Sequence, residues 1–180
     1  MIRFICSSNL FEEELRNIID FEIDYLSPHE GILYIAQEDL PMLDLFCLQM
    51  AQERGITLTC LDCYGQDELT TSALRFAVQL SANKVHRLST VLMVAIMRKD
   101  EAVTLAITQW LNGINSSLLD FGKAYVENDG NGLKTATRLY VHRNTINNRL
   151  AEFLDETQMD LREFENLKAF SIMQDYQFYS

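Results

Sequence analysis

The sequence predicts two parts. Residues 1–112 read as an α/β N-terminal domain, a small βαβ-containing sheet with helices. Residues 113–180 read as an all-α helix-turn-helix C-terminal domain. Three observations predict this. Short apolar runs alternate with helical stripes up to Tyr64. After Gly65 the apolar spacing becomes helical. Residues 135–150 then hold a short helical stripe, a turn and a second stripe.

The elements follow in order. Residues 2–6 predict a strand, and residues 9–19 a helix with Phe11, Leu15, Ile18 and Ile19 on one face. Asn9 and Glu12 have capping-box spacing at its start. Glu12, Glu13 and Glu14 lie where the helix dipole favours negative charge. Asp20, Glu22 and Asp24 alternate, as on the solvated face of a strand or in a polar loop. Residues 31–36 are a short apolar strand. Asp39 caps a helix over residues 40–54, with Pro41 in its first turn and Gly55 at its stop. Residues 56–64 are the next strand. Strand, helix and strand at that spacing make a βαβ unit, so part of the sheet is expected to be parallel. Leu69, Leu74, Ala77 and Leu80 mark a helix. Asp100 caps another, with Val103, Ile107, Trp110 and Leu111, which Gly113 ends. The first helix of the C-terminal domain starts near Ser116.

Composition narrows the function. The chain has 180 residues, 48% hydrophobic and 23% charged, enough apolar material for a real core. The N-terminal apolar stretch is too short for a secretory signal. The longest apolar run, residues 91–97, is far below the roughly 20 residues of a membrane span. A cytoplasmic protein with no membrane association is expected. No dinucleotide fingerprint, phosphate loop or zinc-protease motif occurs, so no enzyme activity, cofactor or metal is expected. Cys60 and Cys63 have C-x-x-C spacing but lie in an expected strand, with no second pair to complete a zinc site. Buried thiols in a reducing compartment are the expectation for all four cysteines.

The informative stretch is residues 135–150. Ala136, Leu139 and Val141 are spaced to pack a short support helix on a longer one, and Ile146, Leu150 and Phe153 form the longer helix's apolar stripe. Its other faces carry Arg143, Asn144, Asn147 and Asn148. Arg and Asn are the side chains that bond guanine and adenine edges bidentately. The net charge of −11 argues against a general nucleic-acid coat. Yet residues 130–151 hold Lys134, Arg138, Arg143 and Arg149 and no acid, so this +4 segment leaves −15 on the rest. A basic island on an acidic body fits one docking face; an amphipathic helix with a solvated face is the plainer alternative.

From Leu118 to about Ile172 the chain resembles the C-terminal helix-turn-helix domain of the PucR/CdaR family of bacterial transcription regulators. The resemblance rests on the Leu118-Leu119 pair, Tyr125 and the turn Asn128-Asp129-Gly130-Asn131. Its core is Thr135, Ala136, Leu139, Val141, His142, Arg143, Asn144, Thr145, Ile146, Arg149 and Leu150, and residues 157–161 match the exit loop before a last helix. The core around Arg143 is also similar to Fis-type DNA-binding domains. Leu133 stands where the family has a small residue, and Asn148 where it has an aromatic or basic one. Leu133 is expected to deepen the packing of the support helix. The family is typically longer, with a sensor and a GGDEF-like domain ahead of this end. The resemblance therefore implies that residues 1–112 are a reduced α/β regulatory or dimerisation module.

The expected partner is double-stranded DNA. Residues 132–139 are the support helix and residues 142–155 the recognition helix, entering the major groove by its N-terminal half. Arg143 with Asn147, and Asn144 with Asn148, are pairs one turn apart that can read neighbouring bases. His142 and Thr145 contact bases or phosphates. Lys134, Arg138 and Arg149 clamp the backbone, and Arg149 has Glu152 or Glu156 as an internal alternative. One such unit reads few base pairs, so a homodimer is expected, with Trp110, Leu111, residues 91–97 or the first C-terminal helix as its surface. Phe170, Tyr176, Phe178 and Tyr179 either close the C-terminal core or add to that interface. Two alternatives stand beside this regulator: an interaction adaptor that kept the fold without DNA binding, and a sensor of an unknown small-molecule effector in the N-terminal half.

Overall fold

A computed structural model describes residues 1–179, with side chains through residue 177. It divides into two compact units, residues 1–63 with 70–91, and residues 64–69 with 92–180. Residue 113, the expected domain boundary, lies within the second unit.

The first unit is built on a mixed five-stranded sheet in the order β2-β3-β1-β4-β5. Its strands are β1 (Ile2–Cys6), β2 (Glu22–Ser27), β3 (Glu30–Tyr34), β4 (Leu58–Asp62) and β5 (Val85–Arg87). β1 is central because both of its faces are covered. Ile2, Phe4 and Cys6 join Phe11 and Leu15 of α1 (Phe11–Arg16) and Leu43, Phe46, Cys47 and Met50 of α2 (Leu40–Arg54) in one core. On the other face Arg3 is buried and paired. Its guanidinium donates to Glu30 at 2.5 Å, and to Thr70 at 3.1 Å and Thr71 at 2.6 Å in α3 (Glu68–Leu80). These bonds satisfy the two terminal nitrogens, as a buried charge requires, while Nε has no partner among the described residues. Gly31, opposite Phe4 across the ladder, is required by close approach. A Cβ there would lie 2.5 Å from the Asp24 carbonyl and 2.7 Å from the Phe4 ring.

The strand–helix–strand expectation is corrected in one respect. β3 and β4, joined by α2, are not neighbours, because β1 lies between them antiparallel to both. The directly parallel pair is β4 with β5, joined by α3. The alternating acids Glu22 and Asp24 belong to β2, an edge strand whose β-bulge falls between Tyr25 and Ser27. Helix α1 is shorter than expected, and its capping box does not form. Asn9 Oδ1 accepts from the Cys6 thiol at 3.4 Å, and Glu12 instead bonds Arg16 at 2.8 Å and Tyr25 at 2.9 Å. Helix α2 begins after Asp39, whose side chain makes no cap bond, and stops at Gly55, where φ of 65° favours a glycine. The four cysteines are buried and none is in a disulfide. Cys60 faces Cys47 at 3.9 Å between sulfurs, and among the described residues no cluster of His, Cys, Asp or Glu could hold a metal.

The second unit is helical. α4 (Leu88–Arg98) brings in its C-terminal part, followed by α5 (Glu101–Gly113), α6 (Ser116–Val126), α7 (Gly132–Leu139), α8 (Arg143–Thr157) and α9 (Phe164–Tyr179). Asp100 caps α5 by accepting from the Val103 amide at 2.9 Å. Trp110 is half-buried: its indole donates to Asp67 at 3.0 Å and its ring lies against Tyr64 and Phe170. Leu111 is buried. Both are thereby core residues rather than a free surface. Phe153 and Phe170 meet edge to face at 5.1 Å, fully buried, where α8 and α9 close over Gly122 of α6. Phe170 thus closes this core; the side chains of Phe178 and Tyr179 lie outside the described residues. No helix among the described residues is long and apolar enough to cross a membrane.

Candidate nucleic-acid interface

The site is built from the turn that ends α6. Asp129 (φ 56°) and Gly130 (φ 70°) are both left-handed, which reverses the chain tightly. Gly130 donates to the Tyr125 carbonyl at 3.0 Å. Asn131 then caps α7, its Oδ1 accepting from the amides of Leu133 at 3.1 Å and Lys134 at 3.0 Å. An eight-residue helix is marginal by itself, so this cap and the burial of Thr135 and Ala136 hold it. Thr135 can be buried because its hydroxyl donates back to the Asn131 carbonyl at 2.9 Å.

Helix α7 stops at Tyr140, left-handed at φ 54°, and Val141 donates to the Ala136 carbonyl at 3.0 Å. His142 opens α8: its Nδ1 accepts from the Asn144 amide at 3.2 Å. Ile146, Leu150, Phe153 and Thr157 face inward. Arg143, Asn144, Asn147 and Asn148 are all exposed, on the N-terminal half of the helix. Thr145 and Arg149 are half-buried, while His142, Lys134 and Arg138 are exposed.

Three details differ from the sequence reading. Leu139 and Val141 are exposed at the rim of the turn, and Thr135 takes the inner position beside Ala136. Leu133 does not deepen the packing; it is 69% exposed, because an eight-residue helix has room for only one inner stripe and position 133 falls off it. Tyr140, passed over in the sequence, is 96% exposed between the two helices. Its signal was faint: an aromatic in a left-handed cap looks in sequence like another member of the apolar stripe.

The four cations are not equivalent. Arg138 pairs with Glu127, the residue that follows α6, and Arg149 pairs with Glu152 at 2.9 Å. Lys134 and Arg143 make no ion pair among the described residues. Along α8 the charge changes sign. Arg143 stands at its exposed start, while Glu152, Asp155 and Glu156 line a polar cleft of about 630 Å³ at its far end with Asn115 and Ser117. Glu156 accepts there from the Asn115 amide at 2.5 Å. In the exit loop burial pushes the Asp160 carboxyl up, but the Arg162 side chain at 2.7 Å and its amide at 3.0 Å outweigh it, so the net shift is downward.

Comparison with known proteins adds three findings. Residues 118–173 match the PucR C-terminal helix-turn-helix domain family. The chain is 26% identical over 148 residues to a leucine-rich protein of Streptococcus dysgalactiae subsp. equisimilis, covering 81% of this chain and 51% of that one. The chain thus spans about half the length of that curated relative. It also shares its fold with the crystal structure of a regulator of polyketide synthase expression from Bifidobacterium adolescentis, at a TM-score of 0.50 and 15% identity over 99% of this chain and 79% of that one. The match at residues 118–173 contains the Val141-His142-Arg143-Asn144-Thr145 core, the residues that carry the resemblance to that family in the sequence.

Proposed function

We propose that this chain is a sequence-specific DNA-binding transcription regulator that acts as a homodimer and has no enzymatic activity. Residues 113–180 are the DNA-binding domain and residues 1–112 the regulatory or dimerisation part. The observation that carries the reading is the N-terminal half of α8, an exposed Arg and Asn face with no acid from residue 130 to 151. Arg143, Asn144, Asn147 and Asn148 read base edges in the major groove. His142 and Thr145 lie at the helix start, where amides favour phosphate. Lys134, Arg138 and Arg149 hold the backbone, and Tyr140 adds an exposed hydroxyl beside them. The acids at the far end of α8 keep that end away from phosphates and so fix which end enters.

One observation favours an adaptor instead: two of the four cations, Arg138 and Arg149, already face carboxylates. Salt dependence separates the two readings. Binding to random duplex DNA should weaken steeply as salt rises, and Lys134→Ala should lower the slope by about 1. No binding at low salt would move the weight to the adaptor.

A further inference from the structure

We propose that the apolar groove between α4, α5 and α9 is the surface through which two copies of this chain associate. The inference rests on the dimeric reading above and names its interface. The groove has a volume of about 760 Å³, and its apolar lining includes Met93, Ile96, Met97 and Ile172. Met93 and Met97 are one turn apart on α4 and stand 47% and 75% exposed. Leu105, one turn beyond Glu101 on α5, is 58% exposed and extends the apolar surface past the groove.

Two physical arguments select a second copy as the occupant. The first is exposure. A small-ligand site encloses most of its ligand, whereas here Met93 and Met97 stand in solvent above the half-buried Ile96 and Ile172, and the apolar surface continues along α5 to Leu105. A prominent Met97 on the rim of a groove is a knob beside a hole. A two-fold interface needs that pairing, because each copy must present both halves of every contact.

The second argument is charge. A chain of net charge −11 repels its own copies except where charges are absent or complementary. The groove edge carries Lys99 together with Glu101 and Asp175. Across a two-fold axis Lys99 of each copy meets an acid of the other, so the rim is complementary to itself. All these residues belong to the same compact unit as α8. Association there couples two recognition helices through one packed body.

The test is sedimentation of the full chain without DNA. The wild type should be a dimer. Met93→Glu with Met97→Glu should weaken association by at least about thirtyfold. Both positions are exposed and Glu is a good helix former, so far-UV circular dichroism should not change. Lys99→Glu should weaken association, and Lys99→Glu with Glu101→Lys should restore it. A methionine double variant that associates like the wild type overturns the proposal, as does a charge swap that restores nothing. A monomeric wild type whose groove binds anilinonaphthalene sulfonate also overturns it, in favour of a small apolar ligand. A dimer that the methionine double variant disrupts but that binds no DNA supports this surface and refutes the DNA-binding reading instead.

Discussion

Replacing Gly122 by Ala tests how α8 is held. In an exposed helix that change stabilises by about 1 kcal/mol through helix propensity. Here the added Cβ would lie 2.7 Å from the Phe170 ring and 3.1 Å from the Phe153 ring, where ordinary contact begins near 3.4 Å. Neither ring has room to retreat. Both are fully buried, they pack against each other at 5.1 Å, and Phe170 also lies against Trp110 at 6.1 Å. Overpacking of this kind costs about 1–3 kcal/mol. The steric cost exceeds the propensity gain, and the expected net loss is about 1 kcal/mol. Urea unfolding followed by Trp110 fluorescence reads it directly, since Trp110 is the single tryptophan and sits beside Phe170. The midpoint should fall while the slope stays constant. Gly113→Ala is the control, because a Cβ there meets nothing within 4 Å; it should leave stability unchanged or raise it slightly. A Gly122→Ala chain more stable than the wild type would show that α6 is not in contact with the aromatic pair, and the packing argument would fail.

Other predictions follow from the same structure. Asn131→Ala removes both cap bonds of α7 and should destabilise the chain by about 1 kcal/mol in urea unfolding, whereas Asn131→Asp should retain most of the cap. Burial pushes the Cys63 thiol up to about 12, against about 8.5 for a free thiol. The folded chain therefore keeps a proton that the unfolded chain loses. Its stabilising effect is complete below about pH 8.5 and fades as pH rises toward 12, so thermal stability should fall over that window in the wild type and fall less in Cys63→Ala. If DNA is the partner, Glu127→Gln frees Arg138 and should tighten binding and steepen its salt dependence; unchanged affinity would mean that Arg138 does not reach the backbone.

How much of this was legible in the sequence depends on where the signal lay. Elements with a local chemical marker were readable. Asp100 marks the start of α5, Pro41 and Gly55 bracket α2, and the turn of residues 128–131 ends one helix and caps the next. Strand order was not readable, because the insertion of β1 between β3 and β4 is a long-range pairing that no local spacing records. The role of Asn9 also turned on a distant event, since its side chain is taken by the Cys6 thiol. In the candidate site the inward stripe Ile146, Leu150 and Phe153 fixed the outward one by geometry. Thr135 was hidden because a polar residue enters a core only when its hydroxyl bonds back to the helix. Which arginines are paired depends on Glu127, at the end of α6, and on side-chain rotamers, and neither is visible in one sequence.

The most direct test of the central claim is selection of bound sequences from random duplex DNA, run in parallel on the wild type and on Arg143→Ala with Asn147→Ala. The account predicts that the wild type enriches a two-half-site palindrome and that the double variant loses it. No enrichment by the wild type at low salt, or the same motif from both proteins, would contradict the assignment of α8 as the reading helix.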